Sequence, residues 1–154
     1  MNFLIIEDDD YKKNKVIDCL TEAFGNILCK YAKSVNSAVV LLESLEPDFI
    51  VLLDMSLPTY DLDDSSGGRP QGFGGIEILR NMEFFDLSNK VIIITQYESI
   101  PIGDVGDNEI DLAQIKDNLE QEFSDIFHDL VHFDVVSDTW KRKLVDSIIE
   151  LSND

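Results

Sequence analysis

Four residues of the chain combine the chemistry and the placement to act together. Glu7 and Asp8 close the apolar run "FLII", Asp54 closes "FIVLL", and Thr95 closes "VIII". Asp9 extends the first acidic group. If those runs lie side by side, three or more carboxylates meet at one edge. Like charges brought that close raise one another's pKa, and the arrangement is costly unless a cation sits among them. Oxygen donors without His or Cys suit a hard divalent ion, Mg²⁺ or Mn²⁺, which uses a few carboxylates and keeps several waters. Such an ion attracts phosphate, and a hydroxyl such as that of Thr95 can hydrogen-bond a phosphoryl oxygen.

The elements that must position these residues follow from the apolar pattern. Three of the runs show no period-2 alternation, as expected of strands buried on both faces. They are Phe3–Glu7, Phe49–Leu53 and Lys90–Thr95. A weaker strand is predicted over Ile27–Ala32 and a fifth over His132–Val136. Between them, helical spacing links Val16, Ile17, Leu20 and Phe24, with Gly25 as a C-cap, and then Ala38, Leu41, Leu42 and Leu45 ahead of Pro47. A short helix is predicted from Gly75. A long one carries the stripe Ile115, Leu119, Phe123, Ile126, Leu130, and a last one starts near Thr139 and packs through Trp140 and Leu144. Alternating strands and helices predict a three-layer α/β sandwich, in which ligands gather at the carboxyl ends of the strands.

Composition sets the remaining bounds. A chain of 154 residues, 44% hydrophobic, is long enough for one sizeable core and short for two, so a single domain over 1–154 is expected. No apolar stretch reaches the length of a membrane span, and "MNFLIIEDDD" turns acidic where a signal peptide would stay apolar. A cytoplasmic protein without membrane contact is expected. Cys19 and Cys29 fit reduced, buried thiols. With 31 acidic against 12 basic residues and a net charge of −19, direct nucleic-acid binding is disfavoured.

"FLIIEDD", "PDFIVLLDMSLP", "GGIEIL" and "VIIIT", in that order, resemble the receiver domain of bacterial two-component response regulators. The resemblance implies a flavodoxin-like five-stranded parallel sheet of order 2-1-3-4-5 and a non-enzymatic signalling protein in a phosphorelay. It places Glu7 and Asp8 on the metal-binding acidic pair and Asp54 on the phosphoryl-accepting aspartate. Ser56 falls where a backbone carbonyl reaches the Mg²⁺ or Mn²⁺, and Thr95 on the switch hydroxyl. The implied partner is a histidine kinase or phosphotransfer protein. A stand-alone receiver without an output domain after Asp154, acting through protein contacts, is expected.

The sequence departs from that family in three places. Counting back from Leu144 puts the family's strand-end lysine at Ser137, within "VVSDTWKRKL", where neither lysine nor proline stands. Lys141 is the candidate substitute, although its place in "KRK" reads as solvent-facing. The aromatic switch position falls on Phe133 or Asp134. Insertions are expected near 59–74, where Asp61, Asp63 and Asp64 are candidate extra ligands, and near 97–115. Residues 104–129 hold nine acidic residues and one lysine, Lys116, which suggests a protein partner with a basic surface. His128 and His132 read as surface or helix-end residues. Two other functions remain open: a pseudo-receiver that docks partners without phosphorylation, and a Mg²⁺-dependent phosphohydrolase of the haloacid-dehalogenase type. The latter wants a second Asp two residues after Asp54, and Ser56 stands there.

Overall fold

A computed structural model of the chain describes residues 1–60, 74–96, 99–101 and 109–153. The elements run β1 (Asn2–Ile6), α1 (Asp10–Phe24), β2 (Leu28–Ala32), α2 (Val35–Leu42), β3 (Phe49–Leu53), α3 (Gly74–Phe84), β4 (Val91–Thr95), β5 (Ser99–Pro101), β6 (Glu109–Asp111), α4 (Leu112–Glu122), β7 (Phe127–His132) and α5 (Thr139–Ser152). Five strands form one parallel sheet in the order β2-β1-β3-β4-β7, the flavodoxin-like arrangement. β5 and β6 pair separately as an antiparallel ribbon within a stretch the sequence left irregular.

Period-2 alternation sorts the strand residues between two cores. On one face Leu4, Ile6, Val51, Leu53, Val91 and Ile93 pack against α2, α3 and α4. On the other, Phe3, Ile5, Leu52, Ile92 and Ile94 meet Val16, Cys19 and Leu20 of α1 and Trp140, Leu144 and Ile148 of α5. Cys19 is a buried free thiol and Cys29 is half-buried. Local signals set the helix ends. Asp9 caps α1 by accepting the N–H groups of Tyr11 and Lys12, Gly25 ends it at φ +76°, and Ser34 with Ser37 forms a capping box on α2.

Two sequence expectations are corrected. The last strand of the main sheet runs Phe127–His132, not His132–Val136, and α4 stops at Glu122 instead of continuing through Ile126 and Leu130. The backbone of β4 is buried along its full length and needs hydrogen-bond partners on its open side. Pairing with 127–132 supplies them and outweighs the helical spacing. Thr139 is the first residue of α5 and Asp138 its N-cap, without a side-chain cap bond.

The turn after β3 is fixed from both sides. Met55 and Leu57 are fully buried, the Val35 N–H donates to the Pro58 carbonyl at 2.9 Å, and the Gly75 N–H donates to the Met55 carbonyl at 3.0 Å. A Cβ on Gly75 would stand 2.6 Å from the carbonyl oxygen of Asp54 and 2.9 Å from the Cα of Met55. These are backbone atoms that cannot swing aside. Gly75→Ala should therefore destabilise the protein by about 1–3 kcal/mol, as overpacking of a tight contact does, read as a lowered urea midpoint.

Candidate functional site

The register of the sheet brings the predicted carboxylates together. Ile6 pairs with Leu53, so the next residues, Glu7 and Asp54, emerge level at the carboxyl ends of β1 and β3. Backbone bonds hold both: the Glu7 N–H donates to Ala32 O at 2.9 Å and the Asp54 N–H to Ile6 O at 3.0 Å. By alternation both side chains fall on the α1–α5 face. Carboxylate oxygens of Glu7, Asp8 and Asp54 lie within 4.8 Å of one another, with Glu7 and Asp54 buried and Asp8 half-buried. Thr95 stands fully buried at the end of β4, where its carbonyl accepts the Phe133 N–H at 2.7 Å. Ser56 is buried, and its N–H and that of Met55 donate to the Asp54 carboxylate. Asp9 faces away, as the α1 cap. Asp61, Asp63 and Asp64 lie outside the described residues.

Sequence reasoning missed the cation at the centre of this group. Lys12 is 1% exposed. Its Nζ lies 2.7 Å from Glu7 Oε2 and 3.1 Å from Asp54 Oδ1, and donates to the Ile94 carbonyl at 2.7 Å. All three donor directions of the ammonium are used. The signal was present: the buried stripe of α1, Val16, Cys19 and Leu20, extends back one turn from Val16 to position 12.

At the end of β7, where the lysine was sought, the structure corrects the count. The strand ends five residues before Ser137, and Phe133 follows it. The Phe133 ring is buried against Trp140, with ring centroids 4.8 Å apart, and lies 5.9 Å from the Lys12 ammonium. Lys141 stays outside, pairing with Asp138 at 3.5 Å. His128 and His132 sit on β7, not at a helix end. On α4 Lys116 pairs with Asp129 at 3.4 Å, leaving Asp117, Glu120, Glu122 and Asp125 exposed around it.

Burial pushes the Lys12 ammonium down, and the carboxylates of Asp54 and Glu7 more than reverse this, so its pKa stands above the ordinary 10.5. Glu7 moves from 4.5 to about 8, driven by burial against the pull of Lys12 and reinforced by the charge of Asp54. Asp54 is also raised, by burial against the pull of Lys12 and the backbone N–H groups; Asp8 is raised by burial and then by Asp54. One ammonium cannot balance three carboxylates. The donor set of oxygens converging at a strand-end rim therefore fits a hard divalent cation.

This geometry defines a class. The sheet order and the three layers are those of the CheY-like receiver fold. The chain is 27% identical over 151 residues to the Detocs response regulatory protein DtcB of Enterobacter cloacae (strain JD6301), covering 96% of this chain and 99% of that protein. It is 25% identical over 153 residues to the uncharacterized protein y4jR of Sinorhizobium fredii (strain NBRC 101917 / NGR234), covering 98% and 99%. Among solved structures, a DNA-binding response regulator of the LuxR family from Staphylococcus aureus superposes with a TM-score of 0.63 at 16% identity, covering 97% of each chain. A response regulator from Colwellia psychrerythraea gives 0.61 at 18%, covering 99% of this chain and 96% of that one. No model of a known protein family matches the sequence.

The raised Glu7 pKa has a definite sign. The folded protein holds a proton that the unfolded chain releases above pH 4.5, so this contribution to stability is complete below 4.5 and is lost as pH rises towards 8. In chelator, the urea midpoint of the wild type should fall over that interval relative to Glu7→Gln, which cannot ionise there. A constant difference between the two across the interval would contradict the assignment.

Proposed function

We propose that the protein is a receiver in a phosphorelay, taking a phosphoryl group on Asp54 with Mg²⁺ or Mn²⁺ and signalling through protein contacts. The observation that supports this reading most directly is the convergence of Glu7, Asp8 and Asp54 at the rim, on elements ordered as in receivers. Glu7, Asp8 and Asp54, with the Ser56 carbonyl, would hold the ion, which when bound supplies positive charge against the phosphoryl oxygens.

Asp54 is the nucleophile. Its carboxylate oxygen attacks the phosphorus of a phosphohistidine donor, the P–N bond breaks, and the donor imidazole keeps the electron pair. The N–H groups of Met55 and Ser56 orient the carboxylate. Gly75, packed on the Asp54 carbonyl, keeps its backbone from retreating. The aspartyl phosphate then adds charge and acceptor oxygens near the end of β4, and in this reading the Thr95 hydroxyl is the switch that answers them. The acidic surface of α4 suits a partner with a basic face, and a histidine kinase or phosphotransfer protein would be the donor.

A second reading, docking without phosphorylation, is favoured by one specific feature: Asp54 is already engaged by Lys12, and no lysine stands at Phe133. One experiment separates the two. Incubation with acetyl phosphate and Mg²⁺ should add the mass of one phosphoryl group to the intact wild type and none to Asp54→Asn. An unmodified wild type, or an equal adduct on the variant, would remove Asp54 as acceptor and leave the docking reading.

A further inference from the structure

We propose that the Lys12 ammonium is the resident cation of the acidic pocket, and that a divalent ion binds there only by displacing it. This rests on the reading of Glu7, Asp8 and Asp54 as the ion's ligands, and adds that the chain carries its own competitor for that position.

The geometry leaves little alternative. Glu7 has both oxygens engaged, Oε2 by Lys12 at 2.7 Å and Oε1 by the Asp9 N–H at 3.1 Å. Asp54 Oδ1 is held by the same ammonium at 3.1 Å. An ion between Glu7 and Asp54, coordinated through Glu7 Oε2 and Asp54 Oδ1, would share both oxygens with Nζ, placing two positive centres in contact. Beneath the ammonium, the cavity that Lys12 shares with Glu7, Asp54 and apolar side chains of β1, β3 and α1 has a volume of about 10 Å³, the lower limit for a single water. A small divalent ion keeps several waters, so it has no place beneath Lys12, and among the buried carboxylates the central position is the one the ammonium holds.

Lys12 is suited to leave. It sits in the first turn of α1, and its four-carbon stem is flexible. Without it, three carboxylates within 4.8 Å of one another would face each other with no ammonium among them. The carboxylates are thus partly neutralised by Lys12, and ion binding is coupled to movement of a side chain held at the ends of β1 and β3 and by β4.

The test is calorimetric titration of the full chain with Mg²⁺ and with Mn²⁺ at fixed ionic strength, comparing wild type with Lys12→Met and Lys12→Gln. Gln keeps a donor for the Ile94 carbonyl while removing the charge. The variants are expected to bind roughly 10–100-fold more tightly, the scale on which residues around a metal's ligands tune its affinity. Equal or weaker binding in the variants, or no binding by any of the three, overturns the proposal.

Should neither variant fold, the wild type alone decides. Lys12 should resist amine acylation in chelator and become acylated at saturating Mg²⁺, read by peptide mass. Protection that persists in Mg²⁺ overturns the proposal. The acetyl phosphate experiment stays independent: a wild type phosphorylated on Asp54 whose metal affinity is unmoved by Lys12→Gln keeps the receiver function and rejects the competitor. The converse rejects the acceptor and keeps the competitor.

Discussion

The structure is organised around one buried ammonium. Lys12 reaches from the first turn of α1 to Glu7 at the end of β1, Asp54 at the end of β3 and the Ile94 carbonyl in β4, so one side chain ties together three neighbouring strands. An isolated charge at 1% exposure would be prohibitive, and these three acceptors are what make it tolerable. The dependence runs both ways. Removing either partner of such a buried pair typically costs about 3–5 kcal/mol, because the remaining charge is stranded. α1, the sheet edge and the candidate site therefore form one electrostatic unit, and a change at the site is felt where α1 docks.

The backbone under Asp54 has been made correspondingly rigid. Met55 and Leu57 plunge into the core, Pro58 anchors α2, and the two glycines opening α3 let that helix close directly onto the turn. Gly74 plays the same part against Leu57 that Gly75 plays against Asp54, since a Cβ there would meet the Leu57 carbonyl oxygen at 2.6 Å. An aspartate held this firmly can act as a nucleophile or as a fixed counter-ion. Which it does depends on the charge beside it, and Lys12 gives the pocket a cation in the absence of metal.

Sequence and structure part company where short-range and long-range signals compete. The spacing of Ile115, Leu119 and Phe123 is helical and the chain is helical there; Ile126 and Leu130 continue the spacing, yet both leave the helix. Period alone cannot tell a helix from a helix followed by a turn and a strand buried in the same core. The open side of β4 decided it. That shift moved the end of the last strand from Val136 to His132, and the position after it from Ser137 to Phe133, while the cation beside Asp54 arrives from another element, α1.

By itself, the sequence determined the three-layer α/β architecture and the gathering of Glu7, Asp8 and Asp54, because continuous apolar runs ending in acids admit few arrangements other than a buried sheet with a charged rim; the strand order was implied only by the resemblance to receivers. It also determined the acidic surface, which is a matter of composition. Only the tertiary structure decided what neutralises the rim. Lys12 is a residue type that normally faces water, and its burial follows from the docking of α1 over the strands and from three acceptors lying up to 82 positions away from it in the chain, a convergence that no local pattern encodes.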